Sequence, residues 1–340
     1  MQIIAGIDLG GTAVNYTLVD FEGRFLIEDL CEHPARSIEG PDICLRQIAD
    51  GLAIAVGKAG VALDDVVMVG LDTPGPASAI GVLSAKGSTN FVHQAWAGFD
   101  LPAGLSAVLR RPVTYVNDGN AGALWGHWSI FNEPEKATSI SVIIGTGLGG
   151  GVIVDGHIVK GRAGFGGELG HVLIPYQSID GIEGLTPVCN CGRTGDLESL
   201  CSLTAISKTL LPWFLHRNPT HELARAGDIR EAAKRVRGMA VSGDAMCRDI
   251  FRVQAHALGL FFDQMVNTFD PDALIVGGGA IEVSADFRGW FLAEIAASMP
   301  IQRQEQADIP IRIMPNGDTA SARGAAIQAL RVARHSAPTT

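Results

Sequence analysis

The feature that most constrains the fold is an internal repeat, in which an apolar strand, a glycine turn and further short strands occur twice. The predicted strands are residues 3–9, 14–19 and 24–27 in the first copy and residues 140–144, 152–155 and 157–159 in the second. Apolar runs separated by tight glycine turns are typical of antiparallel strand pairs. The repeat therefore predicts two similar α/β lobes that face one cleft.

The segments that follow each copy alternate between helical and strand patterns. Helical spacing is found at 42–59, 249–269 and 319–333, and buried strand patterns at 66–71, 113–116 and 273–276. We expect a first lobe at 1–117 and a larger second lobe at 118–318 that carries a cysteine-rich loop at 189–198. A C-terminal helix at about 319–340 should pack back on the first lobe. Residues 203–241 are predicted to be helical, with no assigned chemistry.

Charge and cysteine content exclude several classes of protein. The formal net charge of -10 argues against a broad surface for nucleic acid or anionic membrane. No apolar run is long enough for a membrane span, and a strand pattern begins near the N-terminus. Six cysteines in 340 residues do not form a disulfide framework, which favours the reducing cytoplasm.

The two glycine turns are candidate phosphate sites. Backbone N–H groups in a turn without Cβ atoms form a concave anion site, and threonine hydroxyls add donors. The residues concerned are Gly10, Gly11, Thr12, Gly145, Thr146 and Gly147. A strand follows the second turn, which argues against a dinucleotide-binding fold, and no Walker A loop is present. The alternative is that both are hairpin turns only.

Two aspartates stand where strands end. Asp8 precedes the first glycine turn and is a candidate partner of Mg²⁺, usually through water, or else a cap of that turn. Asp118 follows a strand and precedes an alanine- and glycine-rich helix start, where we expect the helix dipole to keep it ionised. It is a candidate general base for phosphoryl transfer, and the alternative is a helix cap.

A second polar cluster begins with Glu168 and His171. Glu168 could accept hydrogen bonds from sugar hydroxyls, and His171 could do the same or bind a metal. Cys189 and Cys191 follow, so three candidate zinc ligands are present where a structural site needs four. The fourth could be Asp196 or Cys201. The alternative is a loop with two free or buried thiols.

Taken together, these motifs resemble the ROK family of bacterial sugar kinases and related regulators (repressor, open reading frame, kinase). The resemblance runs through the whole chain, in residues 8–12, 117–120, 145–151, 168–171, 189–198 and 277–279. It implies an actin-like ATPase fold of the ribonuclease H-like class, with ATP phosphates between the lobes. It also implies adenosine near Gly277, Gly278 and Gly279, and a homodimer.

The resemblance also implies which residues contact the sugar. They are Asn90, which follows a Pro-Gly loop at 73–76, and Asn117, Asp118, Glu168, His171 and Glu198, with Asp118 as the base. The family usually has a third cysteine where this chain has Asp196. A structural zinc site would then use His171, Cys189, Cys191 and Asp196, because zinc accepts an oxygen ligand.

These expectations favour a kinase that transfers the γ-phosphate of Mg-ATP to a hexose, with the 6-hydroxyl of glucose as the first candidate. A sugar-responsive repressor would need a DNA-binding helix-turn-helix segment, for which the sequence leaves no room before the first strand. A non-catalytic sugar-binding protein is a further alternative. So is a kinase for an N-acetylhexosamine or for fructose.

Overall fold

A computed structural model describes residues 1–85 and 90–336 and arranges their strands in two five-stranded sheets. The strands are β1 (Ile3–Leu9), β2 (Ala13–Asp20), β3 (Cys31–Pro34), β4 (Val66–Thr73), β5 (Val113–Asn117), β6 (Ser139–Ile144), β7 (Leu148–Val154), β8 (His157–Ile158), β9 (Ala273–Gly277) and β10 (Ile311–Ile313). The predicted end of the C-terminal helix at 337–340, and residues 86–89 before Asn90, lie outside the described residues.

The helices alternate with these strands, and most of them lie where the sequence pattern predicts. They are α1 (Pro41–Ala59), α2 (Leu101–Leu109), α3 (Asp118–Ile130), α4 (Leu203–Ala205), α5 (Leu211–Arg217), α6 (Ile229–Val241), α7 (Ala245–Phe269), α8 (Ala285–Ala297) and α9 (Ala320–Ser336). A π-helical turn at Ile206–Leu210 joins α4 to α5. Residues 203–241 are therefore largely helical, as the sequence predicts.

The two sheets have the same topology. The first has the order β3-β2-β1-β4-β5, and the second has the equivalent order β8-β7-β6-β9-β10. In each, the first and second strands pair antiparallel, and the first and fourth strands pair parallel. This duplicated α/β arrangement is the actin-like ATPase fold, and it confirms the predicted fold class.

Helices α3 and α9 connect the two lobes, because each lobe packs one of its helices on the sheet of the other lobe. Each helix follows the fifth strand of one lobe but packs on the sheet of the other. Helix α9 packs on β1, β2 and β4, and helix α3 packs on β6 and β7. The two helices also contact each other. A Cβ on Gly70 would lie 1.9 Å from the carbonyl oxygen of Ala325, and one on Gly324 would lie 1.7 Å from that of Ala121. Glycine is therefore required where backbone meets backbone.

The third strand of the first lobe lies later in the chain than predicted. Residues 24–27 contribute an isolated bridge between Val19 and Phe25, because the Asp20 carboxylate accepts the N–H of Arg24 and closes a turn there. The chain then leaves the sheet, and β3 pairs with the opposite end of β2. The predicted strand at 24–27 is therefore wrong.

Each lobe has its own apolar core. Phe251, Phe261 and Phe262 on α7 are fully buried in the core of the second lobe, and Tyr16 and Trp96 belong to that of the first. These cores fix the strand ends from which the site residues project. In the ranges 1–85 and 90–336, no helix combines the length and apolar character needed to cross a lipid bilayer.

Candidate active site

A cleft of about 700 Å³ collects many of the residues singled out by sequence. It is lined by Asn117, Asp118, Glu168, His171, Glu198 and the glycine turn at 145–147, together with residues 74–76 and Ser321 at the start of α9. Asp8, the first glycine turn, Asn90 and Gly277 to Gly279 are not among the lining residues that the structure describes. The cleft therefore unites the predicted base with most of the predicted sugar-contacting residues.

Asp118 is the first residue of α3 and directly follows β5. Asn117, rather than Asp118, caps this helix, because its side-chain oxygen accepts the N–H groups of Gly119 and Asn120. The capping role considered for Asp118 is thus filled by its neighbour. Its carboxylate is positioned by the strand–helix junction and lines the cleft.

Burial sets the protonation behaviour of Asp118. Burial raises its pKa from the ordinary value of 3.8 to about 6; the Gly119 N–H lowers the pKa, and the charges of Asp8 and Glu168 raise it. With this pKa the carboxylate is mostly ionised at pH 7, as expected at a helix start, but burial makes it easier to protonate than an ordinary aspartate. A carboxylate with a pKa just below neutral is well matched to accept a proton.

Two further carboxyl groups, Asp8 and Asp72, lie close enough to Asp118 to interact with it electrostatically. Asp8 on β1 and Asp72 on β4 are direct neighbours in the parallel register, and Asp72 is fully buried. The Asn15 amide donates to Asp8 at 3.0 Å, whereas neither oxygen of Asp72 has a hydrogen-bond donor among the described residues. Burial raises the pKa of both carboxyls, and the charges of Asp8 and Asp118 raise that of Asp72 further.

Sequence reasoning missed Asp72. The available signal was an aspartate at the end of an otherwise apolar strand, just before the Pro-Gly loop at 74–75. Nothing in the sequence shows which strand lies beside it.

The first glycine turn is closed by its own backbone, since the Gly10 N–H donates to the carbonyl of Ala13 at 3.0 Å. Asn90 lies against this turn: a Cβ on Gly11 would be 2.7 Å from its side-chain oxygen. The Ser37 hydroxyl contacts the carbonyl oxygens of both Gly11 and Asn90. The structure thus places Asn90 beside the predicted phosphate turn.

The second glycine turn is held by Glu198. The Leu148 N–H donates to Glu198 Oε2 at 2.8 Å, and a Cβ on Gly147 would lie 2.7 Å from that oxygen. The carbonyl of Thr146 accepts hydrogen bonds from the backbone and hydroxyl of Thr204. Glu198 therefore occupies the N–H that directly follows the predicted anion site, and a phosphate at that N–H would have to replace it.

The cysteine loop assembles four candidate metal ligands. The ligand atoms of His171, Cys189, Cys191 and Asp196 all lie within 4.8 Å of one another. His171 Nδ1 is 3.0 Å from Asp196 Oδ2, and that oxygen is 3.5 Å from Cys191 Sγ. One nitrogen, two sulfurs and one oxygen fit a tetrahedral zinc ion. Cys201, the other candidate for the fourth ligand, is buried outside this cluster, and its thiol donates a hydrogen bond to the Gln254 carbonyl.

A glycine-rich loop at 161–167 carries Glu168 into the cleft. The Asn120 amide donates to the Gly166 carbonyl at 2.9 Å and ties this loop to α3. Gly164 and Gly167 adopt φ of 90° and 97°, which glycine tolerates best. The sequence motif at 117–120 does not indicate this role of Asn120, because the loop it holds is 46 positions away.

Gly277 is the last residue of β9, and Gly278 and Gly279 follow it directly. Gly278 has φ of 98°, and a Cβ there would lie 2.4 Å from the Ile144 carbonyl oxygen. Arg237 on α6 donates to the Gly279 carbonyl. A cavity of about 780 Å³ begins a few residues further on, between residues 28–30, 282–283 and 313–319.

Comparison with known proteins gives one consistent result. A family model described as ROK family matches residues 4–332. A glucokinase from Halalkalibacterium halodurans is 30% identical over 281 residues, covering 81% of this chain and 79% of the relative.

Solved structures agree with the sequence comparison. A ROK hexokinase from Thermus thermophilus is 27% identical with a TM-score of 0.75, and the match covers 98% of this chain and 100% of that one. A ROK family glucokinase from Streptomyces griseus, in complex with glucose and AMPPNP, is 25% identical with a TM-score of 0.71, covering 97% of this chain and 99% of that one.

Proposed function

Because this chain belongs to the ROK family, we propose that it is an ATP-dependent sugar kinase that phosphorylates a hexose, with the 6-hydroxyl of glucose as the first candidate. The glucokinase relative and the structure with glucose and AMPPNP support this substrate pair. The observation that carries the proposal is the position of Asp118, a half-buried carboxylate that lines the interlobe cleft.

Asp118 acts as the general base. The sugar hydroxyl gives its proton to the Asp118 carboxylate while its oxygen bonds to the γ-phosphorus, and the bond from phosphorus to the β-phosphate oxygen of ATP breaks to release ADP. Asn117 fixes the backbone of the base by capping α3. Because positioning supplies much of the catalysis in phosphoryl transfer, this rigid junction matters as much as the carboxylate itself.

The sugar is held by polar side chains from both sides of the cleft. Asn117, Glu168, His171 and Glu198 can pair with its hydroxyl groups, and they line the same cleft as the base. Asn90 approaches from the first glycine turn. Closure of the lobes around both substrates excludes water and limits hydrolysis of ATP.

The nucleotide lies across the two glycine turns. Gly10, Gly11 and Thr12 face one side of the phosphates and Gly145, Thr146 and Gly147 the other, with adenosine near Gly277 to Gly279. Asp8 would hold Mg²⁺, and the fit is supported by the neighbouring Asp72, whose two buried oxygens lack donors among the described residues. When bound, Mg²⁺ neutralises developing charge on the phosphates.

The cysteine loop holds a structural zinc ion in this proposal, with His171, Cys189, Cys191 and Asp196 as ligands. The loop connects the sugar side of the cleft to the second glycine turn, because Glu198 lies just after Asp196 and contacts Leu148. The homodimer and the cytoplasmic location expected from the sequence remain predictions.

The test is an ADP-release assay over glucose, mannose, fructose, N-acetylglucosamine and N-acetylmannosamine, run beside Asp118→Asn. Asparagine keeps the size of the side chain but cannot take the proton, so kcat should fall by about 10²–10⁴-fold while sugar binding persists. The proposal is supported if the wild-type protein turns over at least one hexose and the Asp118→Asn variant does not. Sugar binding without turnover in the wild-type protein would favour a binding protein instead, and equal turnover in the variant would remove Asp118 as the base.

A further inference from the structure

Asp72 is a carboxyl group that the proposed transfer does not use. It is fully buried in β4, and neither of its oxygens has a donor among the described residues. An ionised carboxylate in such a place is unfavourable by several kcal/mol unless a positive charge or a proton accompanies it. The space beside Asp72 is therefore suited to one or the other.

On the β1 side, the polar neighbours of Asp72 offer oxygen acceptors, whereas its partner on β5 is the apolar Val116. Asp8 is its register partner on β1, so the two side chains share one face of the sheet, near enough for a single proton to bridge them. Two ionised carboxylates cannot donate to each other. Asn15 is the register partner of Asp8 on β2, and its side-chain N–H₂ donates a hydrogen bond to Asp8. The side-chain oxygen of Asn15 is buried and has no partner among the described residues.

We propose that Asp72 and Asp8 together form a divalent-cation site, in which Asp72 supplies a second protein carboxylate for the Mg²⁺ that accompanies ATP. Carboxylate and amide oxygens are the ligands that Mg²⁺ and Mn²⁺ prefer. The pair lies at the carboxyl ends of β1 and β4, next to the first glycine turn and close to the charge of Asp118. The two carboxylates should therefore hold a cation in the absence of nucleotide as well as with it.

The proposal rests on the use of ATP, but its test does not need activity. Mn²⁺ binding to the protein without nucleotide or sugar is measured by the loss of the free Mn²⁺ signal in electron paramagnetic resonance. Asp72→Asn should weaken binding by about tenfold or more, because Asn cannot supply the charge. Asp20→Asn is the matched control. Asp20 is equally buried in the same sheet, but its carboxylate accepts a hydrogen bond from Arg24, away from the cleft. The Asp20→Asn variant should bind Mn²⁺ as the wild type does.

Unchanged Mn²⁺ affinity in folded Asp72→Asn would overturn the proposal and leave Asp72 as a protonated partner of Asp8. If the variant does not fold, a Mn²⁺ soak of wild-type crystals decides the matter. An anomalous peak within ligand distance of both carboxylates supports the site, and a peak bound through Asp8 alone, or no peak there, rejects it. These outcomes are independent of the sugar assay, so a chain without kinase activity could still bind Mn²⁺ here.

Discussion

The chemistry of Asp118 depends on three features of its surroundings: the position of its backbone, its burial and the charges near it. The end of β5 and the cap from Asn117 fix its backbone, burial in the cleft raises its pKa to about 6, and the charges of Asp8 and Glu168 act in the same direction. Desolvation outweighs the hydrogen bond from the Gly119 N–H, which acts on the pKa in the opposite direction. A group that is ionised at pH 7 but easily protonated is suited to accept a proton during phosphoryl transfer.

The pKa of Asp118 predicts the acid limb of activity. Only the ionised form can accept the proton, so kcat/KM should be low below pH 6, rise about tenfold per pH unit there, and level off above a midpoint near 6. The measurement is the initial rate at subsaturating sugar between pH 4.5 and 8.5.

Glu168→Gln provides the control for this profile. It removes a charge that raises the pKa of Asp118, so the midpoint should move to lower pH, even though loss of a proposed sugar contact lowers the rate throughout. A flat profile, or a wild-type midpoint near pH 4, would contradict the role of Asp118.

How far the sequence predicts the site depends on the kind of residue. Asp118, Glu168 and His171 stand in recognisable motifs, and the cleft brings them together. Asp72 and Asn120 could not be assigned, because their importance comes from partners on distant segments. Burial also raises the pKa of Asp118, which depends on surroundings that a linear motif does not contain.

At the scale of elements, the cysteine loop makes a specific prediction about its metal. Cys191→Ser removes one of four clustered ligands, so the purified protein should lose most of its zinc and melt at a lower temperature. Elemental analysis and thermal unfolding measure the two effects.

Cys201→Ser is the matched variant for this loop. Its thiol donates to the Gln254 carbonyl outside the cluster, and a serine hydroxyl can make the same hydrogen bond. It should therefore retain zinc. Equal zinc content in the two variants, or a wild-type protein without zinc, would reject the proposed ligand set.

The contact between α9 and the first sheet gives a second prediction at this scale. A Cβ on Gly70 would lie 1.9 Å from the carbonyl oxygen of Ala325, and backbone at this contact cannot move alone. Gly70→Ala should therefore destabilise the protein by about 1–3 kcal/mol.

Gly57→Ala tests the same substitution where space is open. Gly57 lies in α1, and no atom would lie within 4 Å of the added Cβ, so the variant should gain about 0.5–1 kcal/mol from helix propensity. Urea unfolding compares both variants with the wild type. Similar shifts for both would show that the close contact at Gly70 does not limit stability.

The elements themselves were predictable where periodicity is strong. β1 and α1 match the pattern to within one residue, and the duplicated topology follows from the repeat. The third strand was misplaced because the side chain of Asp20 closes a turn that interrupts the hairpin. A local side-chain contact of this kind overrides an apolar run that is only four residues long.

At the scale of the whole molecule, the exchanged helices α3 and α9 determine how the lobes meet. Each packs on the sheet of the opposite lobe, and their crossing brings the backbone of Gly324 against that of Ala121. Asp118 begins α3, and Ser321 near the start of α9 lines the same cleft. Because α3 packs on the second sheet and α9 on the first, this crossing sets how the first lobe lies relative to the base.

Gly324→Ala should hold the lobes apart. An added Cβ would lie 1.7 Å from the Ala121 carbonyl oxygen, so α9 must shift relative to α3, and we expect the cleft to widen as a result. We expect a larger radius of gyration by small-angle scattering with saturating sugar, and kcat/KM reduced by up to about 100-fold, since a shift of about 1 Å is enough for that loss. Gly289→Ala on α8, where no atom would lie within 4 Å of the new Cβ, should leave both quantities unchanged. A Gly324→Ala protein that closes and turns over like the wild type would show that the crossing does not control the cleft.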